Sequence, residues 1–173
     1  MSNLLFTKVR NVKAPERAHI EDAGIDFFVP EFDYNFFKDF ENKNRLTTKS
    51  GIINSTEILV APHDRVLIPS GIRVILHPGS ALVALNKSGV ATKKGLLVTA
   101  QLIDPQYTGE VHIGVYNSGD DSQIINCGEK LVQFIHIPIF RSIPEELGFE
   151  IYCSYISKMG SDRGDNGFGS TNK

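Results

Sequence analysis

An aspartate stands at the end of an apolar run, where a carboxylate could activate water. Asp104 follows "LLVTAQLI" and begins "DPQYTG", which is also good β-turn sequence with Pro105 at the second turn position. A carboxylate held at a strand end can orient a water molecule and accept its proton. Tyr107, three residues later, can be a core residue or an aromatic platform. The pattern leaves Asp104 open between a turn residue and a general base.

A second stretch combines the groups that bind anions. "LNKSGVATKKGL" (85–96) places Lys87, Ser88 and Gly89 between two apolar runs. An ammonium, a hydroxyl and backbone N–H groups can together face a phosphate. A plain hairpin turn is the alternative reading of the same residues.

Polar motifs also lie towards both ends of the chain. "DAGIDFFVP" (22–30) places Asp22 and Asp26 around Ala-Gly, and "DRGDNGFGSTNK" occupies 162–173. The second of these has the Gly/Asn/Ser composition of a disordered tail, but it also holds an arginine and an aromatic ring among its glycines. The composition leaves this stretch open between a disordered tail and part of a site.

The elements that must position these residues are predicted to be short strands. Apolar runs rich in Val, Ile and aromatic residues alternate with Gly, Pro, Asn and Asp, and "GEVHIGVYN" alternates as a half-buried antiparallel strand does. "FEIYCSYI" is read as a further strand. The nearest helix candidate is "RSIPEELGFE", where a turn is equally consistent. The class is therefore all-β, as a sandwich, barrel or jelly roll with little helix.

The segment 31–58 differs from its surroundings. It is polar and holds five aromatic residues between Phe32 and Phe40. We predict an insertion with a short helix or hairpin packed by Phe36, Phe37 and Phe40. A surface loop covering the barrel is the simplest interpretation, and a substrate lid or partner patch is the alternative.

Composition excludes several classes of protein. The 173 residues suffice for one domain, and a net charge of −2 does not favour nucleic-acid binding. No apolar run is long enough to span a membrane, and we expect no signal peptide. Cys127 and Cys153 both lie in apolar, strand-like sequence, which predicts two buried thiols in a reducing, cytoplasmic compartment. The five histidines form no zinc cluster.

Five stretches, in this order, resemble the motifs of the trimeric dUTPase family. They are "AGIDFFVP", "NKSGVATKKG", "LIDPQYTGEV", "GEKLVQFI" and "RGDNGFGST", with "LIPSGI" before the second in support. The last matches the family pattern Arg-Gly-x-x-Gly-Phe-Gly-Ser-Thr at every position. The resemblance extends over about residues 20 to 172 apart from the insertion. It implies a distorted β-barrel or jelly-roll subunit that hydrolyses dUTP to dUMP and pyrophosphate.

The resemblance also implies roles for individual residues around the nucleoside. Asp104 matches the catalytic aspartate, which activates the water that attacks the α-phosphorus and meets the 3′-hydroxyl. Tyr107 matches the tyrosine whose ring packs on the deoxyribose and excludes a 2′-hydroxyl. Uracil would be read by backbone groups of the hairpin formed by Thr99, Ala100 and Gln101.

The remaining matched residues are implied to surround the triphosphate and its Mg²⁺. Asp26 matches an aspartate that supports the ion through water, the ion being held mainly by the phosphates. Residues expected around the α and β phosphates are Lys87, Ser88, Gly89 and Gln133. In the closing segment, Arg163 is expected on the γ-phosphate, Phe168 over the uracil, and Gly169, Ser170 and Thr171 around the β and γ phosphates.

Family sites form between subunits, so the resemblance implies a homotrimer whose partners include dUTP but neither nucleic acid nor membrane. We predict a single domain over 1–160 and a flexible segment over 161–173 that closes on a neighbouring subunit. Three departures from the family pattern stand out: Lys87 replaces an arginine, Gln101 replaces a common glycine, and Asn172 replaces the last glycine.

Two rival functions fit parts of the sequence. dCTP deaminase shares the fold, and "VTAQLIDPQYTGEVHIGVYNSG" is similar to its sequence, but that enzyme needs a glutamate where this chain has Gly114. It also lacks the Arg-Gly-x-x-Gly-Phe-Gly-Ser-Thr ending. A dUTPase-like binding or regulatory protein without catalysis is the other rival, and the presence of both Asp104 and Tyr107 argues against it.

Overall fold

The computed structural model describes residues 3–44, 50–53 and 56–160. The chain divides into two compact units, 1–140 and 141–173. The first holds all the strands. The predicted boundary after residue 160 remains a prediction, because 161–173 lies outside the described residues.

Within the described residues the chain forms short strands with three helices between or after them. The strands are β1 (Leu5–Lys8), β2 (Ile25–Asp26), β3 (Gly51–Ile53), β4 (Glu57–Val60), β5 (Arg65–Pro69), β6 (Ile72–Ile75), β7 (Ser80–Asn86), β8 (Leu96–Val98), β9 (Leu102–Ile103), β10 (His112–Asn117), β11 (Gln123–Asn126) and β12 (Val132–Pro138). The helices are α1 (Tyr34–Lys43), α2 (Ser88–Lys94) and α3 (Phe149–Met159).

The strands pair antiparallel in four small sheets. The largest has the order β2-β12-β7-β9, and two three-stranded sheets have the orders β5-β10-β8 and β11-β4-β3. β1 pairs with β6. The all-β class is therefore confirmed, with the short, punctuated strands that the sequence predicts. Among the described residues, no helix is long and apolar enough to cross a bilayer.

The core lies between these sheets and is built from the inward faces of their strands. In β10 the residues Ile113 and Val115 are fully buried, and Phe134 of β12 packs on Phe27 with ring centroids 4.4 Å apart. Burying a side chain of this size stabilises the fold by roughly 1.5–3 kcal/mol. Because many strands share one core, the ends of neighbouring strands are held rigidly.

The insertion contains the predicted short helix. Asp33 caps α1 by accepting a hydrogen bond from the Phe36 N–H at 2.7 Å, as N-cap aspartates do. Phe36 and Phe40 are fully buried, and Phe37 packs against the core at its edge. The helix is therefore an integral part of the first unit.

Three local expectations were wrong. "FEIYCSYI" lies in α3, a helix, because its aromatic and aliphatic residues recur at helical as well as strand spacing in so short a run. The segment after Lys87 is not a plain hairpin turn, which was one of its two readings. It is a helix, α2, which ends at Gly95 in the left-handed conformation (φ 64°). Cys127 and Cys153 are both exposed free thiols, because Cys127 follows β11 in a turn and Cys153 lies on α3.

Candidate functional site

A cleft of about 250 Å³ brings together residues that the sequence predicts around a nucleoside. Asp104, Tyr107 and Ala100 all line it. The remaining lining residues are Lys43, Leu67, Leu102, Ile103, Val111 and His112. A second, larger depression of about 990 Å³ lies beside β1 and the segment 15–22, and none of the predicted site residues lines it.

Asp104 lies at the point where β9 ends. Ile103 is buried in the core, while Asp104 is exposed to solvent at the cleft. Its carbonyl accepts a hydrogen bond from the Tyr107 N–H at 3.0 Å, which closes the predicted turn. Asp104 is therefore both a turn residue and a carboxylate facing the cleft, so the two readings of the sequence are compatible.

Tyr107 is fixed by the turn that follows Asp104. Its hydroxyl donates to the carbonyl oxygen of Glu110 at 2.8 Å. A Cβ on Gly109 would lie 2.5 Å from that hydroxyl, so the ring can fold over the turn only because residue 109 is glycine. Tyr107 is 43% exposed, which leaves it free to contact a ligand.

The predicted hairpin of Thr99, Ala100 and Gln101 is instead a loop beside the cleft, because it joins β8 to β9, which belong to different sheets and do not pair with each other. The Thr99 N–H donates to the Gly114 carbonyl at 3.1 Å, and the Ala84 N–H donates to the Gln101 carbonyl at 2.7 Å. A Cβ on Gly114 would lie 2.5 Å from Thr99 Oγ1 and 3.0 Å from Ala100 N. The loop thus packs against β10 so closely that any side chain larger than that of glycine at position 114 would displace it.

A cluster of charged residues lies on the largest sheet. Asp26 on β2 is almost fully buried, and its Oδ1 accepts a short hydrogen bond from Lys87 while its Oδ2 accepts one from Lys130 at 3.0 Å. Burial raises the pKa of Asp26, but the hydrogen bonds and charges of the two lysines outweigh it and hold this pKa below 3.8. Two ammonium groups on one carboxylate leave a net positive charge, which suits an anionic ligand.

Gln133 is held beside this cluster. It lies opposite Asp26 in the pairing of β12 with β2, and its side-chain amide donates to the Asn86 carbonyl at 2.9 Å. A Cβ on Gly24 would lie 2.3 Å from its Oε1. The glycine in "DAGIDFFVP" therefore makes room for the Gln133 side chain.

Ser88 and Gly89 form the first turn of α2, and both are exposed. Lys87 stands at the N-cap and directs its ammonium to Asp26. The first N–H groups of a helix have no partner within it, so this turn presents donors beside the lysines. At the other end, Lys94 pairs with Glu129 at 2.7 Å, which fixes the helix next to Lys130.

The structure therefore groups the predicted residues in two places. Thr99, Ala100, Gln101, Asp104 and Tyr107 lie at or beside the cleft, whereas Asp26, Lys87 and Gln133 lie together on the sheet. None of the sheet group is among the described residues that line the cleft. The predicted residues Arg163, Phe168, Gly169, Ser170 and Thr171 lie outside the described residues.

Sequence reasoning missed Lys130, the second partner of Asp26. It lies in "GEKLVQFI", one position after Glu129, and its charge next to Gln133 was the available signal. His112 and Lys43 were also missed as residues of the cleft, since Lys43 comes from the insertion. In the described part of the chain, no group of three or more His, Cys, Asp or Glu side chains could hold a metal ion.

Comparison with known proteins identifies the class. The family model described as dUTPase matches residues 51–172. The deoxyuridine 5'-triphosphate nucleotidohydrolase of Azoarcus sp. (strain BH72) is 34% identical over 119 residues, which is 67% of this chain and 74% of that protein. The enzyme of the same name from Hahella chejuensis is 34% identical over 117 residues, or 66% and 72%.

Solved structures agree at the level of the fold. The dUTPase of Staphylococcus bacteriophage 80alpha with dUpNHpp has a TM-score of 0.71 at 22% identity, covering 99% of both chains. A mutant dUTPase from phage phi11 of S. aureus, described as coordinating a structural Mg(II) ion, has a TM-score of 0.65 at 20% identity, covering 84% of this chain and 97% of that one. This chain belongs to the dUTPase family.

Proposed function

We propose that this chain hydrolyses dUTP to dUMP and pyrophosphate, with Asp104 as the group that activates water. As a member of the dUTPase family the chain is a hydrolase of this class. The observation that carries the assignment to particular residues is the cleft, which holds an exposed carboxylate and an aromatic ring on one rigid turn. An aspartate without this scaffold would be only a turn residue.

The reaction requires a water positioned in line with the bond that breaks. Asp104 would accept a proton from this water, whose oxygen forms the new bond to the α-phosphorus. The bond between the α-phosphorus and the bridging oxygen breaks, and pyrophosphate leaves with that oxygen. The rigid end of β9 keeps the carboxylate in place, which is the part of general-base catalysis that depends on geometry.

Tyr107 and the loop Thr99–Gln101 would select the nucleoside. The ring, fixed by the hydrogen bond from its hydroxyl to the Glu110 carbonyl, would pack on the deoxyribose and leave no space for a 2′-hydroxyl. Backbone groups of Thr99, Ala100 and Gln101 would pair with the edge of uracil. Gly114 supports this role, because it allows the loop to approach β10 closely.

The lysine cluster would receive the phosphates. Lys87 and Lys130 share one buried carboxylate, so they keep a net positive charge at the edge of the sheet, next to Gln133 and the first turn of α2. Ser88, Gly89 and Gln133 would donate to the α and β phosphates. From the closing segment, Arg163 would reach the γ-phosphate, Phe168 the uracil, and Gly169, Ser170 and Thr171 the β and γ phosphates.

Mg²⁺ fits this arrangement as an ion held mainly by the substrate. Both carboxylate oxygens of Asp26 already accept from lysines, and each keeps a second lone pair that could accept from a water on the ion. The ion would neutralise charge that develops on the phosphates. This indirect role agrees with the residues present, because they offer the ion one carboxylate that already binds two lysines and not several free oxygen ligands.

We also propose that the working enzyme is a homotrimer. The cleft and the lysine cluster are separate groups on one chain, and a nucleotide must contact both kinds of group at once. Association would let the cleft of one subunit meet the cluster of another. Light scattering at micromolar concentration should give three times the mass of one chain, and a monomeric mass would contradict the proposal.

One experiment tests the reaction itself. Purified protein is incubated with Mg²⁺ and either dUTP or dCTP, and pyrophosphate and ammonia are measured. Pyrophosphate from dUTP without ammonia from dCTP is expected. Ammonia from dCTP would identify a deaminase, against which Gly114 argues because that enzyme needs a glutamate at this position. Tight nucleotide binding without product would identify a binding protein.

A further inference from the structure

The inserted helix α1 is joined to the turn that carries Asp104 and Tyr107, and the joining residue is Arg10. We propose that Arg10 is a positioning residue for dUTP hydrolysis, coupling α1 to the turn 104–111. The proposal rests on the proposed function, since it concerns the geometry of the same cleft. It gives the insertion a role within the site.

Arg10 is bound by two carboxylates from different parts of the chain. Its Nε donates to Glu110 Oε1 at 2.8 Å and its Nη2 to Glu110 Oε2 at 3.0 Å, which is the bidentate geometry that only arginine offers. Nη2 also forms an ion pair with Asp39 on α1. The Arg10 side chain is 7% exposed, and that of Glu110 13%. A pair this far from solvent is screened weakly and holds its geometry.

Glu110 transmits this constraint to the cleft. Its carbonyl accepts the Tyr107 hydroxyl at 2.8 Å and the Nδ1–H of His112 at 2.8 Å, and both of these residues line the cleft. Its Oε1 also accepts the N–H of Gly71 at 2.6 Å. Arg10 thus fixes the residue on which the ring of Tyr107 depends.

Gly71 is shaped for contact with Arg10. It has φ 74°, a left-handed conformation that favours glycine, and a Cβ there would lie 2.8 Å from Val12 Cγ1 and 3.1 Å from Arg10 Cβ. The turn between β5 and β6 therefore packs directly on the stem of Arg10. Three segments, namely α1, the turn that holds Glu110 and the turn that holds Gly71, therefore meet at the Arg10 side chain.

The insertion helix reaches the cleft by a second route. Lys43 in its last turn and Leu67 of β5 both line the cleft. Asn44 joins them, since its side chain donates to the Leu67 carbonyl at 2.8 Å and accepts from the Leu67 N–H at 2.7 Å. With Phe36 and Phe40 buried in the core and the Arg10 guanidinium 5.9 Å from the ring centre of Phe36, α1 is a fixed wall of the site.

Steady-state kinetics of variants test the proposal on the full chain. Wild-type turnover of dUTP is measured first, so that its absence would overturn the proposed function and not this inference. Arg10→Gln should then lower kcat/KM by about tenfold and Asp39→Asn by about threefold, because a small misplacement of catalytic groups is costly. Arg10→Lys should recover only part of the loss. Asp120→Asn, the same chemical change at a fully exposed residue, is the control and should equal wild type.

Inhibition separates positioning from general loosening. Deoxyuridine should inhibit the Arg10→Gln and Asp39→Asn variants more weakly than wild type, whereas pyrophosphate should inhibit all of them equally. Melting temperatures confirm that each variant is folded under the assay conditions, and Asp39→Asn serves if Arg10→Gln does not fold. Unchanged kinetics with a lowered melting temperature, or equal losses for deoxyuridine and pyrophosphate, would overturn the proposal.

Discussion

The cleft and the lysine cluster solve opposite problems with the same residue type. Asp104 in the cleft is exposed at a strand end, whereas Asp26 in the cluster is buried. The two lysines on Asp26 hold its pKa below 3.8 against the effect of burial, so its charge is fixed before a ligand arrives. A carboxylate that accepts a proton from water must be exposed to water, whereas a carboxylate that holds two cations in place can be buried.

Neither the cleft nor the lysine cluster alone offers contacts for a whole nucleotide. In the proposed function the cleft provides a base, an aromatic ring and a backbone loop for the nucleoside, whereas the cluster provides cations for the phosphates. A triphosphate and a nucleoside in one molecule need both. A substitution in the cleft should therefore affect the nucleoside part of the ligand, and one in the cluster should affect its phosphates.

The largest expected effect belongs to Asp104. Asp104→Asn keeps the shape of the side chain but cannot accept the proton, so kcat should fall by about 10²–10⁴-fold, the usual contribution of a general base. Binding of dUTP, measured by calorimetry, should stay close to wild type. Full activity in this variant would refute the assignment of the base.

Removal of 161–173 should also abolish most turnover. A chain ending at residue 160 keeps the cleft and the lysine cluster, and we expect it to fold and to trimerise. It lacks Arg163 and Phe168, which are predicted to close on the phosphates and the base. Product assays and light scattering on the same sample would test this, and unchanged activity would reduce the segment to a tail.

Lys130→Met measures the cluster separately from the cleft. It removes one cation and leaves Asp26 paired with Lys87. Loss of a charge-assisted hydrogen bond corresponds to about tenfold weaker binding. Inhibition by pyrophosphate should therefore weaken by about tenfold while inhibition by deoxyuridine is unchanged.

Lys93→Met on α2 is the matched control for this measurement, since it removes the same charge from a neighbouring exposed position. Equal losses for Lys93→Met and Lys130→Met would mean that overall charge matters and the position does not. Weaker deoxyuridine inhibition in Lys130→Met would contradict the division between cluster and cleft.

The smallest effect concerns pH and His112 in the cleft wall. Burial lowers the pKa of His112 below its ordinary 6.5; Lys43 and Arg10 lower it further, and Glu110 raises it. The unfolded chain then binds the proton more readily, so stability should fall as pH drops from 6.5 towards the folded pKa. Denaturant titrations should show a shallower fall in His112→Gln, by at most about 1.4 kcal/mol per pH unit. An unchanged slope would contradict the shift.

The strands could be predicted because their alternation and turn residues are local signals. Within "GEVHIGVYN" the stretch His112–Asn117 forms β10, but its burial does not alternate strictly, because Gly114 is buried between Ile113 and Val115. "FEIYCSYI" could not be assigned in the same way, since the apolar residues of so short a run fit either period. Cys127 illustrates a further limit, because this thiol lies one residue past the end of β11 and is exposed although the apolar pair Ile124-Ile125 precedes it closely.

The site could be predicted as a set of residues but not as an arrangement. Motif order pointed to Asp26 and Asp104, yet the contacts that hold Asp26 and the turn after Asp104 come from residues far away in sequence. Lys130 is separated by 104 positions from Asp26, and Arg10 by 100 from Glu110. Such pairs depend on strand order and register, which follow from the packed core and cannot be read from a local pattern.

The central claim is that water attacks the α-phosphorus of dUTP under the control of Asp104. Hydrolysis in water enriched in a heavy oxygen isotope, followed by mass spectrometry of both products, tests it most directly. The account predicts that the isotope appears in dUMP and is absent from pyrophosphate. Isotope in pyrophosphate, or no hydrolysis of dUTP, would contradict it.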